Sequence, residues 1–354
     1  MGNKKRIAIL GGGGILGAHA PGYTRLGDLC EVVAVAETDV SRYDRIKTLL
    51  HKDVPIYGDY IEALSLPGLD AVDILLPHSM HMAAVVLAAK KGLHVLCEKV
   101  MARNTYECKA MVDACEIAGV ELVIVHDRRY AGDWVALKEI ISSGVLGEIL
   151  FIKMEHNQDV VFPEGSWVRS KDGIGGGAVM SCLTHQIDAL RWYLGEVRSV
   201  DCMTKTLPSR MEGECIGVMS ARMESGALAS LSINWHTQSA SQVENSLWYE
   251  FNHICGTLGE AYYMSGKGTF LKQYGNPDHE KAFVRMGFEA SISGHQKCIE
   301  EFINLISGKP SAVLTPGIDS IRTVEVAEAA YLSDAQGKTV ELPIDPMPWD
   351  ERMY

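Results

Sequence analysis

Three glycines, Gly12, Gly14 and Gly17, follow an apolar run that ends at Leu10, and Glu37 closes a second apolar run 20 residues after Gly17. A strand that passes through such a turn into a helix offers backbone N–H groups to a pyrophosphate. An acidic side chain about 20 residues on accepts hydrogen bonds from ribose hydroxyls. The first glycine is expected to allow the tight bend, the second a close approach of backbone to phosphate, and the third the packing of helix on strand. Ile15 and Leu16 would then lie along the nucleotide. A carboxylate at Glu37 repels a 2′-phosphate, so the expected cofactor is NAD, with Asp39 as the alternative acidic partner and Arg42 as a neighbour that would favour NADP.

A second pattern lies between Gly177 and Gly195. Val179, Leu183, Ile187, Leu190 and Leu194 form an apolar stripe at helical spacing, and Ser181, His185, Asp188 and Trp192 form another at intervals of four, three and four. The first stripe predicts packing and the second a helix face able to line a cleft.

The elements that must position these residues follow from hydrophobic rhythm. Apolar runs at Ile7–Leu10, Val32–Ala36, Val72–Leu76, His94–Cys97 and Leu122–Val125 alternate with helical patterns, which predicts a parallel sheet wrapped by helices. Asp73 and His94 are the polar exceptions. Beyond Val125 come a helical segment at 134–143, longer strand patterns at 149–156, 197–205, 215–223, 227–235 and 248–255, and helical patterns at 296–306 and 320–333. The expected architecture is α/β: a Rossmann domain over 1–126, then an α+β domain over 127–354 built on a large, mostly antiparallel sheet.

Composition narrows the function. A chain of 354 residues with a net charge of −12 suits two domains and argues against a polyanionic partner such as nucleic acid. Nine cysteines at irregular spacing, with no CxxC pair, read as thiols in a reducing compartment and predict no metal site. The apolar run at the start stops at Leu10, and no stretch approaches the roughly 20 apolar residues of a membrane span. A cytoplasmic protein is expected.

Two further segments fall at strand ends, where open α/β sheets place ligands: Pro77-His78-Ser79-Met80-His81 and Cys97-Glu98-Lys99-Val100. With the glycine turn they resemble the Gfo/Idh/MocA family of sugar and cyclitol oxidoreductases, whose usual strings are Pro-Asn-x-x-His and Glu-Lys-Pro. The resemblance continues through Asp127-Arg128-Arg129-Tyr130, Gly175-Gly176-Gly177 with His185 and Asp188, Gly256–Gly259, and the closing helical segment 315–333. It implies that Pro77, His78, His81, Glu98, Lys99 and Asp127 line the NAD site. It also implies that Lys99 is the base for a secondary hydroxyl, assisted by His185, and that Asp188 and Ser181 meet the substrate. Trp167 and Arg169 resemble a segment that closes over the nicotinamide, while Arg129 either orients substrate or pairs with an acidic neighbour.

A lysine titrates near ~10.4 in water, so a lysine base needs help, and a cationic nicotinamide ring about 5 Å away would supply on the order of two pKa units. Two residues depart from the family strings: Ser181 stands where many relatives carry Asp, and Val100 replaces a proline with its easy access to a cis bond. Aromatic residues such as Trp235, Trp248, Tyr249, Tyr262 and Tyr263 are expected in the core or stacked on a sugar ring. Specificity would lie in segments such as Thr237–Leu247 and Gly275–Phe288.

The leading expectation is an NAD-dependent dehydrogenase acting on a small polyhydroxylated substrate and working as a homodimer or homotetramer. One alternative is a glycoside-processing enzyme that keeps NAD bound, oxidises C3 transiently and eliminates the aglycone. The other is a regulator that binds NAD or sugar without catalysis.

Overall fold

The computed structural model describes residues 4–237, 248–279, 284–286, 292–312 and 314–351. The chain forms two compact units: Met1–Ala102, Tyr106–Tyr130 and Ile292–Ile321 make the first, and Arg103–Thr105, Ala131–Ser291 and Arg322–Tyr354 the second. Of the two segments expected to set specificity, residues 238–247, 280–283 and 287–288 lie outside the described residues.

The first unit is built on six strands: β1 (Lys5–Leu10), β2 (Cys30–Ala36), β3 (Ile56–Tyr57), β4 (Ala71–Ile74), β5 (His94–Glu98) and β6 (Leu122–Val125). Each pair is parallel and the order is β3-β2-β1-β4-β5-β6, the doubly wound arrangement. Strands covered on both faces need apolar side chains at nearly every position, which is why these runs stood out in the sequence. Only β3, two residues long, carried no such signal. The order reverses between β1 and β4, so the carboxyl ends of those strands flank the place where such sheets bind ligands.

Helix Gly294–Ile306 belongs to this unit although it lies far along the chain. Ser293 and Gln296 cap it reciprocally, and Cys298, Ile299, Phe302 and Ile303 are buried in the same core as Leu16, Ala20 and Tyr23 of helix Leu16–Arg25. The two helices approach closely at Gly22, where a Cβ would stand 2.9 Å from Ile299 Cδ1.

The second unit carries β7 (Ile149–Gln158), β8 (Val197–Thr206), β9 (Glu214–Met223), β10 (Leu228–Asn234), β11 (Trp248–Gly256), β12 (Gly259–Met264), β13 (Gly268–Gln273), β14 (Val284–Met286) and β15 (Val340–Glu341). They form one sheet in the order β14-β13-β12-β11-β7-β10-β9-β8-β15, antiparallel except where β7 runs parallel to β10. Burial alternates along β9 and β10, with Met219, Leu231 and Ile233 inward and Val218 and Leu228 exposed. Helices Gly132–Ser142 and Thr184–Leu194 pack on this sheet.

Candidate active site

The glycine turn departs from the expected division of labour. Gly11, not Gly12, has a positive φ (106°), and a Cβ there would sit 2.4 Å from the Leu75 carbonyl oxygen at the end of β4. Gly12 leaves room for Ile46 and donates its N–H to Glu37 Oε2 at 3.0 Å. Gly14 faces open space, with no protein atom within 4 Å of a Cβ placed there. Gly17 does not serve close packing, because a Cβ would meet only the Arg45 guanidinium at 3.6 Å. Arg45, which sequence reasoning missed, donates to the carbonyls of Gly12 and Gly13 at 3.2 and 3.1 Å and holds the loop in shape.

Helix Leu16–Arg25 starts at this turn, and no side chain caps its N-terminus. An open cradle at Gly14 and an uncapped helix start fit a pyrophosphate. Glu37 is buried, taking N–H groups from Gly12 and Asp39 and an ion pair from Arg42 at 3.1 Å. Arg42 therefore neutralises the acidic residue. Asp39 caps the short turn that follows by accepting from Ser41.

Pro77 precedes helix His78–Lys90, and His78 and His81 touch edge to face in its first turn. His81 is fully buried, and its ring nitrogens face Leu76 O at 2.8 Å and Val100 O at 3.0 Å. Burial holds its pKa below the ordinary value despite those carbonyls. His81 braces the ends of β4 and β5. Lys99 is the half-buried residue that follows β5, and the Lys99–Val100 peptide is cis with no proline present.

Behind Lys99 lies a polar network that the sequence did not reveal. His19 is fully buried between Asp73, whose Oδ2 is 2.8 Å from Nδ1, and Glu98, whose Oε1 is 2.8 Å from Nε2. Tyr23 donates to the same Asp73 oxygen at 2.9 Å, and the Lys99 N–H to Glu98 Oε2 at 3.0 Å. His295, from helix Gly294–Ile306, stands 3.7 Å from Glu98 and 3.6 Å from Asp127. Burial alone would lower the His19 pKa, but the two carboxylates outweigh it and push it up to about 10. Burial works to raise Glu98, yet His19, His295 and Lys99 hold it below the usual carboxylate value. Asp127 is likewise held low against its burial by Arg128, its partner at 2.7 Å, and by His295. Asp73 as a polar exception and the four-residue spacing of His19 and Tyr23 were the signals that could have found this network.

His19, Glu98 and His295 also lie close enough to share a metal ion, as do His253, Cys255 and Glu260 on β11 and β12. The irregular spacing that predicted no metal did not foresee either grouping. In the first, carboxylates occupy both nitrogens of His19.

In the second unit, Gly175 and Gly176 have positive φ, and a Cβ at Gly176 would strike the Tyr331 ring. A π-helical turn at Val179–Leu183 follows and leads into helix Thr184–Leu194. π turns recur at functional positions, and this one contains Ser181 and ends two residues before His185. Ser181 and His185 are nearly buried and Asp188 fully so, like Val179, Leu183, Ile187 and Leu190 of the apolar stripe, while Trp192 and Leu194 are partly exposed. Asp188 Oδ1 accepts from Thr323 at 3.1 Å, and Arg191 pairs with Glu196 at 2.7 Å. Gln186 donates to Glu250 at 3.1 Å, which fixes the rotation of the helix around His185.

Arg129 binds Asp319 at 2.8 Å and the Leu314 carbonyl at 2.8 Å, the acidic-neighbour alternative. Trp167 and Arg169 flank a 3-10 turn and line a cleft of about 370 Å³ with Ser166, Pro208 and Glu212. Among the aromatic candidates, Trp235 is buried against Phe162, and Tyr262 stacks on Phe270 at 4.8 Å.

A doubly wound sheet whose switch point holds an uncapped glycine turn and a buried acidic strand end defines a dinucleotide-binding protein. Residues 5–126 match "Oxidoreductase family, NAD-binding Rossmann fold" and residues 134–261 the "GFO/IDH/MocA C-terminal domain". The chain belongs to the GFO/IDH/MocA family, and it is an NAD-dependent dehydrogenase. It is 27% identical over 327 residues to D-apiose dehydrogenase of Paraburkholderia graminis, spanning 89% of this chain and 84% of that protein. It is 25% identical to D-glucoside 3-dehydrogenase of Escherichia coli, across 95% and 97% of the two chains. Levoglucosan dehydrogenase, solved with NADH and levoglucosan, shares the fold with a TM-score of 0.84 at 22% identity over 97% of this chain and 100% of that one. Among the described residues no helix is long and apolar enough to cross a membrane.

Proposed function

We propose that the chain oxidises a secondary hydroxyl of a sugar, sugar derivative or cyclitol, with Lys99 as the base and His185 assisting it. The carrying observation is the place of Lys99: it directly follows β5, at the carboxyl edge of the sheet that also holds the glycine turn, on a strand end fastened by His81 and Glu98. A lysine there can take the hydroxyl proton as the C–H bond breaks, and NAD, when bound, supplies the acceptor for the hydride.

The backbone from Gly12 to Gly17 would hold the pyrophosphate and Glu37 the adenosine ribose. Pro77, His78 and Asp127 would line the remainder of the cofactor. Ser181 and Asp188, on the same helical segment as His185, would orient the other hydroxyls of the substrate, and Trp167 and Arg169 would stand at the outer cleft. The substrates named in the relatives, an apiose, glucosides and levoglucosan, are all polyhydroxylated and support this class. We further propose a homodimer or homotetramer, with a second copy on the exposed sheet face.

The test is a screen of D-apiose, levoglucosan, alkyl glucosides and myo-inositol with NAD, read by NADH absorbance and product analysis. NADH is expected to accumulate with at least one of them, and Lys99→Met should lower kcat by roughly 10²- to 10⁴-fold, the range for a lost general base. Full activity in Lys99→Met would refute the base assignment. Turnover without added NAD and without lasting NADH would replace net oxidation by transient oxidation and elimination.

A further inference from the structure

The strand end that carries Lys99 rests on an imidazole buried between two carboxyl groups. Both nitrogens of His19 face carboxylate oxygens at 2.8 Å, one on Asp73 and one on Glu98. Ionised carboxylates only accept hydrogen bonds, so the ring satisfies both neighbours by carrying two N–H groups, which makes it an imidazolium. The other way to satisfy the geometry is a neutral ring with a proton on one of the facing carboxylate oxygens. Asp73 Oδ2 is a poor place for that proton, because it already accepts from the Tyr23 hydroxyl. On Glu98, Oε2 already receives the Lys99 peptide N–H, so the proton would have to sit on Oε1, which would leave Asp73 a buried anion beside a neutral ring. Two buried carboxylates this close to one another persist as anions only with a cation between them.

The other ionisable groups around this centre come from every element packed on it. Tyr23 lies on the same helix as His19, and Cys97 on β5. Helix Gly294–Ile306 brings His295 and Cys298, and beyond His295 lie Asp127 and Arg128. The two thiols and the tyrosine are pushed well above their ordinary values by burial and stay neutral.

We propose that His19 is a permanently charged positioning residue: it keeps Glu98 a carboxylate, and Glu98 through its second oxygen fixes the peptide N–H from which the Lys99 side chain departs. The proposal rests on the reading of Lys99 as the base, but the state of His19 is measurable without any substrate. Histidine-selective ¹⁵N spectra of the unaltered protein at about pH 8, where an ordinary imidazole is neutral, are expected to show one ring with both nitrogens protonated. In His19→Gln that signal should vanish. The infrared band of a protonated carboxyl should appear at neutral pH, and the Lys99 amide should exchange on the order of tenfold faster, as for one lost hydrogen bond to a charged acceptor. The double variant His19→Gln/Asp73→Asn removes one charge of each sign, so the protonated-carboxyl band should fade again.

A merely structural histidine would lower stability without that appearance and reversal. Neutral rings throughout in the unaltered protein would overturn the proposal even if the variants fail to fold, and so would an unchanged Lys99 amide in His19→Gln. Loss of the Lys99 assignment by the kinetic test above would leave these spectra standing, which keeps the two failures distinct.

Discussion

Glu37 is a carboxylate already busy before any ribose reaches it, holding two backbone N–H groups and Arg42. Glu37→Ala would remove those acceptors and release Arg42 to meet a 2′-phosphate. The dissociation constant for NAD, measured by fluorescence titration, is expected to rise about tenfold or more, while that for NADP changes less or falls. An unchanged NAD affinity would show that Glu37 only shapes the turn. The identity of these residues was legible in the sequence because chain spacing fixes a turn and a strand end. The burden on Gly11 was not, since residue type does not reveal which glycine has a positive φ. The bracing by His81 was hidden for a similar reason: its string fixes a position after β4, whereas the Val100 carbonyl it meets is brought beside it by β5.

At the scale of elements, the helix that carries His185 is anchored by one acid whose charge opposes folding. Glu214 Oε1 accepts from the Val179 N–H and the Tyr331 hydroxyl at 2.8 Å each, at the start of the π turn. Burial drives its pKa from 4.5 up to about 7, with Tyr331 and Val179 acting in the opposite direction. The unfolded chain releases this proton near 4.5 and the folded one near 7, so stability falls as pH rises through that window. The loss approaches about 3 kcal/mol above neutrality. Glu214→Gln, whose oxygen can still accept both bonds, should be more stable than the parent at pH 8 and nearly equal at pH 4, as read by thermal melts. Equal pH dependence in both proteins would place the titrating group elsewhere. Strand and helix positions were largely readable here because burial on both faces leaves a continuous apolar run and an amphipathic helix leaves a stripe. The stripe at 179–194 was a poor guide to exposure: Ser181, His185 and Asp188 are as buried as Val179, Leu183, Ile187 and Leu190, while Cys182, Trp192 and Leu194 are partly exposed, and hydrophobic spacing cannot show which polar positions neighbouring elements cover. The π turn escaped notice because it inserts no residue type of its own.

At the scale of the molecule, the sheet of the second unit leaves Met203, Val218 and Leu228 exposed on one face, and Met203 pairs with Val218 across β8 and β9. A face of this kind suits a second copy of the chain. Light scattering is expected to report a dimer or larger for the parent and a smaller particle for Val218→Asp, whose charge would be desolvated in the contact. A monomeric parent would refute the proposed assembly. The composition of the first unit bears on how the protein is made. Its core includes Ile299, Phe302 and Ile303, which the ribosome delivers more than 160 residues after Tyr130. At synthesis rates of about 5–20 residues per second, helix Leu16–Arg25 waits on the order of ten seconds or more for the helix that covers it. During that interval its apolar side is open to chaperones and to other nascent chains. A fragment ending at residue 126 would never leave that condition, so the nucleotide-binding module of this enzyme is not a portable part: it matures only when the chain is almost complete.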